Sequence, residues 1–143
     1  MKCVVIGGGT IGSRKAMTLA KAGAHVTVIS PVVTDELKDQ LREPDMKWIE
    51  SEFGEEHLEG AFLVVAATPD KGLNTTVARL ARERKALVCD ASSAEGSQVI
   101  FGALLDADES VVAVFTDGRD PAKARRERDE IAALLSSDRN DGK

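Results

Sequence analysis

Three glycines near the start of the chain have a spacing that suits the binding of a phosphate group. Gly7, Gly9 and Gly12 follow a valine-rich run and open a segment with helical periodicity. In this pattern the first glycine allows the turn, the second lets the backbone approach a pyrophosphate, and the third lets the helix pack closely on the strand. Free amides at the helix N-terminus then face the anion, so we expect Thr10 and Ile11 to contact it. The motif predicts a dinucleotide site.

Residues after two later apolar runs extend this predicted site. Ser30, Pro31 and Val32 follow the second run, where dinucleotide-binding domains commonly carry an acid that holds the adenosine ribose. Because this chain has neither that acid nor a nearby arginine for a 2′-phosphate, the residues leave NAD and NADP both open. Thr68 and Asp70 follow the fourth run at the same predicted edge. We expect them to contact the cofactor, although Asp70 is equally suited to capping the next helix.

The polar stretch 90–98 offers groups for proton transfer. Asp90 follows an apolar run and so should open onto the carboxyl edge of the sheet, with Ser93 close behind it. A carboxylate in a cleft can accept a proton while a bound dinucleotide accepts a hydride. Asp90 is therefore a candidate catalytic residue. The alternative is that Asp90 only holds the loop 91–98 in place.

Charge and composition exclude several classes of protein. The 143 residues carry a net charge of −5 and are 3% aromatic, which argues against a nucleic-acid-binding protein. The longest apolar run, 61–67, is far shorter than the roughly 20 residues of a membrane span, and no signal peptide is visible, so we expect a cytoplasmic protein. Cys3 and Cys89 lie in apolar segments and predict buried, reduced thiols. His25 and His57 have no partners at ligand spacing, and no metal site is predicted.

One segment departs from the acidic balance. Residues 119–128 hold five basic side chains against two acidic ones. Guanidinium groups bind carboxylates in paired contacts, so the segment is suited to an anionic ligand. The alternative is a solvated helix face with ion pairs between successive turns.

Strand-like and helix-like segments alternate along most of the chain. Apolar runs predict strands over 2–6, 25–29, 48–49, 61–67 and 86–89, and helical spacing predicts helices over 11–22, 35–42 and 73–84. Two later runs, 99–105 and 110–115, predict an antiparallel hairpin. A helix should then begin at Asp120-Pro121 and end near Leu135, followed by a frayed polar tail. We predict an α/β fold: a Rossmann-like parallel sheet over 1–104, and over 105–143 a C-terminal hairpin strand and helix used for dimerisation.

These motifs together resemble one known family. The chain is similar to the precorrin-2 dehydrogenase module of siroheme synthases, in order and at suitable spacing, over 7–15, 22–28, 64–70, 73–74, 100–103, 112–118 and 120–125. The resemblance implies NAD-dependent oxidation of precorrin-2 to sirohydrochlorin by a homodimer whose hairpin strands pack across the interface. It also implies that Thr10, Ile11, Pro31 and Val32 touch the cofactor.

The resemblance also implies how the substrate is bound, and the chain differs from the family at several points. Precorrin-2 carries eight carboxylates, which Thr116, Arg119, Lys123 and Arg125 would bind. Ser93 stands where the family has its proton-handling aspartate, so the resemblance makes Ser93 a second candidate catalytic residue. Asp90 stands at the preceding asparagine. Some family members also insert ferrous iron. We do not expect iron insertion by this chain, because the further helical domain of the family is not seen in its sequence. A second reading is a dinucleotide-binding or tetrapyrrole-carrying module that acts with a partner and without catalysis.

Overall fold

A computed structural model describes residues 1–107 and 110–140, with the side chains of 138–140 left aside. The chain divides into two compact units, 1–99 and 100–143. The predicted domain boundary after residue 104 lies inside a strand of the second unit, Ala103–Ala107.

The first unit is a five-stranded parallel sheet with helices between its strands. The strands are β1 Lys2–Gly8, β2 His25–Val33, β3 Met46–Ile49, β4 Leu63–Ala66 and β5 Leu87–Asp90. The helices are α1 Thr10–Lys21, α2 Asp35–Gln40 and α3 Lys71–Glu83, with a 3₁₀ turn at Glu55–Leu58. The strand order is β3-β2-β1-β4-β5, and all pairs are parallel. The predicted Rossmann-like fold is confirmed.

Burial on both faces explains why the strands read as continuous apolar runs. Every residue of β4 is buried, and so is every residue of β1 after Lys2. The core on one face of the sheet combines side chains of β1 and β4 with Val77 and Ala81 of α3. The connections reverse direction between β1 and β4, and ligands of open α/β sheets bind at such a switch point, outside the carboxyl ends of the strands.

The second strand is longer than its sequence predicts. It continues through Pro31 to Val33, because the pairing with β1 shifts from Ile6 opposite Ile29 to Gly8 opposite Val33. Residues 30–32 form a bulge there, and a bulge does not need the backbone N–H that proline lacks. The expectation that this strand ends at residue 29 is therefore wrong.

The second unit is a hairpin followed by a long helix. Strands β6 Ala103–Ala107 and β7 Ser110–Val114 pair antiparallel, which confirms the predicted hairpin, and α4 spans Pro121–Asn140. The helix does not end near Leu135 as predicted. The hydroxyls of Ser136 and Ser137 donate to the carbonyls of Ala132 and Ala133 at 2.9 and 2.7 Å, so these polar residues are accommodated within the helix. Of the predicted polar tail, residues 141–143 lie outside the described part of the chain.

Candidate functional site

The glycine motif forms the turn from β1 into α1, and two of its glycines are sterically required. Gly7 has φ +105°, and a Cβ on it would stand 2.5 Å from the carbonyl oxygen of Ala67. A Cβ on Gly12 would collide with the carbonyl of Gly7. These two positions hold the helix close to the sheet, as the spacing predicts.

Gly9 has a different role, because a Cβ placed on it would meet no atom within 4 Å. It is the N-cap of α1, where no side chain caps the helix, and the first turn holds no acidic residue. Ser13 makes the first backbone hydrogen bond of the helix, to the carbonyl of Gly9 at 2.9 Å. The amides of Thr10 and Ile11 precede that bond, so they are available to an anion, and Ile11 is exposed. The turn therefore fits the pyrophosphate of a dinucleotide.

A polar contact that is not evident from the sequence joins this turn to the end of β2. The buried Ser13 hydroxyl donates to the carbonyl of Gly8 at 2.9 Å, and the Thr34 hydroxyl donates to Ser13 Oγ at 3.0 Å. The amide of Thr34 also donates to the Gly8 carbonyl, at 3.1 Å. Thr34 is the N-cap of α2, and a threonine followed by two acids is a recognisable cap signal. That signal identifies Thr34 as a helix cap from the sequence alone, whereas its contact with Ser13 is seen only in the structure.

The end of β2 presents a mostly apolar edge to a ligand. Ser30 is buried, and its hydroxyl donates to the carbonyl of Val32 at 2.7 Å. Its own carbonyl accepts a hydrogen bond from Trp48 Nε1 at 2.8 Å. The side chains of Pro31 and Val32 are exposed, Val32 by 70%. Contact of these three residues, Ser30, Pro31 and Val32, with a cofactor stays a prediction.

The loop after β4 is held by a buried amide. Asp70 Oδ1 accepts the amide of Leu73 at 3.1 Å, so Asp70 is the N-cap of α3, one of the two roles predicted for it. Asn74 in the first turn of α3 is almost completely buried, and its Oδ1 accepts from the amide and the hydroxyl of Thr68 at 3.0 and 2.7 Å. Thr68 thus lies at the carboxyl edge of the sheet with its backbone fixed, while its contact with a cofactor stays a prediction.

Asp90 is the last residue of β5 and is only 6% exposed. Its Oδ1 accepts from the amide of Ser92 at 2.8 Å and from the hydroxyl of Ser92 at 2.6 Å. The predicted holding of the loop 91–98 by this carboxylate is therefore present. Ser93 is engaged elsewhere, since its hydroxyl accepts the amide of Gly96 at 3.0 Å. A catalytic role for Asp90 or Ser93 stays a prediction.

A thiol precedes this acid in β5, and a lysine of α1 interacts with that thiol. Burial lowers the pKa of Lys15 on α1, and burial raises the pKa of Cys89, the residue before Asp90. The two groups interact, and each partly offsets the shift in the pKa of the other. Cys3 and Cys89 are both buried and free, as predicted. Lys15 was missed because a lysine in an amphipathic helix normally indicates the solvated face.

The second unit holds the residues predicted to bind substrate. The Thr116 hydroxyl donates to the carbonyl of Asp120 at 2.7 Å, and Lys123 forms an ion pair with Glu127 at 3.6 Å. The pair with Glu127 is the solvated alternative foreseen for this segment. Arg119 is exposed and Arg125 is half-buried. Binding of a ligand by Thr116, Arg119, Lys123 and Arg125 stays a prediction.

Comparison with known proteins adds to this geometry. A family model described as NAD(P)-binding matches residues 1–103, which include the whole glycine turn and all five strands of the sheet. The chain belongs to this NAD(P)-binding family. This membership and the uncapped N-terminus of α1 at Gly9 identify the first unit as a dinucleotide-binding domain.

The relatives of this family member are larger proteins. A siroheme synthase of Photobacterium profundum is 36% identical over 133 residues, which cover 93% of this chain and 28% of the relative. A siroheme synthase of Methylobacillus flagellatus is 39% identical over 133 residues, with the same coverage. The solved structure "SirC, precorrin-2 dehydrogenase" matches with a TM-score of 0.75 and 27% identity, over 93% of this chain and 65% of that one. This chain thus spans under a third of the two siroheme synthases.

Neither a metal site nor a membrane-spanning helix is found in the described part of the chain. Within residues 1–107 and 110–140, no three His, Cys, Asp or Glu side chains come together as a metal site. Across the same residues, no helix is both long and apolar enough to cross a membrane.

Proposed function

We propose that this protein oxidises precorrin-2 to sirohydrochlorin with NAD, a step of siroheme biosynthesis. The proposal is carried by one observation, the presence of an uncapped helix N-terminus and a buried carboxylate in one sheet unit. Gly9 follows β1 and Asp90 ends β5 of the same parallel sheet, and the carboxyl ends of parallel strands share one edge. The names of the similar proteins support the choice of substrate.

The cofactor is held by the first unit. The amides of Thr10 and Ile11 bind its pyrophosphate, and Val32 at the end of β2 offers an apolar contact. NAD is favoured over NADP because the resemblance of this chain to precorrin-2 dehydrogenases implies NAD. A similar solved structure carries the name of that enzyme. When bound, NAD accepts the hydride that leaves the substrate.

Asp90 takes the proton that the oxidation releases. Its Oδ1 is occupied by two donors from Ser92, which leaves Oδ2 as the oxygen that accepts this proton. The proton accepted by Oδ2 and the hydride that bound NAD would take together account for the two hydrogens that the substrate loses. The fixed Oδ1 prevents the carboxylate from turning away.

The second unit binds the carboxylates of the substrate and forms a homodimer. Thr116, Arg119, Lys123 and Arg125 are the proposed substrate contacts, and Lys123 exchanges its exposed ion pair for a substrate carboxylate at little cost. The hairpin exposes Val111 by 64%, and Phe115 just after it by 57%. A second copy of the hairpin would cover these side chains. The proposed location is the cytoplasm.

The test is an anaerobic assay of the purified protein with precorrin-2 and NAD. We expect sirohydrochlorin absorbance and NADH fluorescence to rise together, one NADH for each sirohydrochlorin. The engagement of Ser93 with Gly96 favours the alternative of a binding module without catalysis, because Ser93 stands at the position of the family's aspartate. That alternative predicts NAD binding with no NADH formed.

A further inference from the structure

The buried side chain of Asn74 uses its whole hydrogen-bonding capacity. Its Oδ1 accepts two bonds from Thr68, and its Nδ2 donates to the carbonyl of Thr68 at 3.0 Å and to Ser92 Oγ at 3.3 Å. A primary amide offers two donors and two lone pairs, so no further bond is available. Asn74 is 1% exposed, and it joins the loop after β4 to the loop after β5.

The bond from Asn74 sets the direction of the next one. Because Asn74 Nδ2 donates to Ser92 Oγ, the Ser92 hydroxyl acts there as an acceptor and its own proton points elsewhere. That proton is donated to Asp90 Oδ1 at 2.6 Å. The chain of donors therefore runs from Asn74 through Ser92 to Asp90.

We propose that Asn74 is a positioning residue which, through Ser92, orients the carboxylate of Asp90 and ties that orientation to the Thr68 loop. The inference rests on the proposed function in one respect, the assignment of Asp90 as the proton acceptor. Three of the four bonds of Asn74 hold Thr68 in the loop after β4, and the fourth reaches Ser92 in the loop after β5. A shift of either loop is thereby transmitted to the other.

The kinetic test removes only the connecting hydroxyl. Ser92→Ala leaves the three bonds between Thr68 and Asn74 and the amide bond to Asp90, and we expect kcat to fall about tenfold, since a hydrogen bond to a charged group is lost. NAD affinity should change less than about twofold, and Ser92→Thr should restore kcat. Ser97→Ala is the matched control, because the Ser97 hydroxyl accepts the backbone amide of Asp90 and does not touch its carboxylate.

A double variant separates positioning from general structural support. In an Asp90→Asn background, Ser92→Ala should lower the residual kcat less than about twofold, because its effect passes through the carboxylate. The inference is overturned if kcat of Ser92→Ala equals that of the wild type. It is also overturned if the tenfold loss persists in the Asp90→Asn background or occurs equally in Ser97→Ala.

Amide hydrogen exchange tests the same link without any activity. In the unliganded protein, Asn74→Ala should accelerate exchange at the amide of Ser92 about tenfold and leave the amide of Ala91, which donates to Ala66 within the sheet, unchanged. Asp70→Ala is the control, since it removes the cap of α3 and keeps Asn74. Equal acceleration in the control, or none in Asn74→Ala, would overturn the inference.

A second variant keeps this test decisive if Asn74→Ala does not fold. Ser92→Ala should accelerate exchange at the amide of position 92, because the carboxylate of Asp90 then keeps one donor instead of two. Unchanged exchange there contradicts the inference. If the wild type forms no NADH, the proposed function fails while the exchange results still decide the role of Asn74.

Discussion

Replacing Gly9 by aspartate should weaken dinucleotide binding and leave the fold intact. A Cβ at Gly9 meets no atom within 4 Å, and aspartate is a better N-cap than glycine by a few tenths of a kcal/mol, so stability should hold or rise slightly. The carboxylate, however, would occupy the first-turn amides and face the pyrophosphate. Two unit charges about 4 Å apart repel by about 1 kcal/mol in bulk water and about 4 kcal/mol at an effective dielectric constant of 20. Since the turn is exposed, the loss in NAD affinity should lie between these limits, about 5- to 1,000-fold.

Calorimetric titration with NAD measures this loss, and two further substitutions isolate the charge. Gly9→Ala adds a Cβ alone, while Gly9→Asn adds a capping side chain of the same shape without charge, so affinity should decrease in the order Gly, Ala, Asn, Asp. The difference between Asn and Asp should shrink as salt is raised, because exposed charges are screened. A folded Gly9→Asp protein with the NAD affinity of the wild type would refute the placement of the pyrophosphate at this turn.

Three other outcomes are expected. Gly12→Ala should destabilise the protein by about 1–3 kcal/mol in urea unfolding, because its Cβ collides with the Gly7 carbonyl; unchanged stability would contradict the packing described. The wild-type protein should be a dimer by light scattering, whereas Val111→Asp should be a monomer of equal helicity. A monomeric wild type would exclude the hairpin interface. Burial raises the pKa of Cys89, so at pH 8 its thiolate fraction is below that of a free cysteine, and a disulfide reagent should label it at least about tenfold more slowly than in urea.

Much of the fold could be predicted from the sequence because each signal was local. The buried strands, the glycine turn and the proline-led helix of the second unit each depend on a few neighbouring residues. The bulge at Pro31 depends instead on the pairing register with β1, which only the assembled sheet defines. Helix α4 continues past its predicted end through Ser136 and Ser137, whose hydroxyls donate to carbonyls one turn earlier. Composition alone does not distinguish such a helical turn from a frayed polar tail.

The candidate site was predictable in its positions and not in its contacts. Asp90 follows from the end of an apolar run, but its bonds to Ser92 require a loop conformation that no spacing encodes. Asn74 is ambiguous in the sequence, because an asparagine in the first turn of a helix serves equally as a cap or a contact. Its link to Ser92 spans two loops brought together by adjacent strands β4 and β5.

The most direct test of the account is the turnover of Asp90→Asn with precorrin-2 under saturating NAD. If Asp90 accepts the proton at the edge where NAD binds, kcat should fall on the order of 10²-fold, the lower range for losing a general base, while NAD affinity changes little. The melting temperature controls for the loop, since asparagine keeps an oxygen to accept the bonds from Ser92. Full turnover in a folded Asp90→Asn protein would contradict the account.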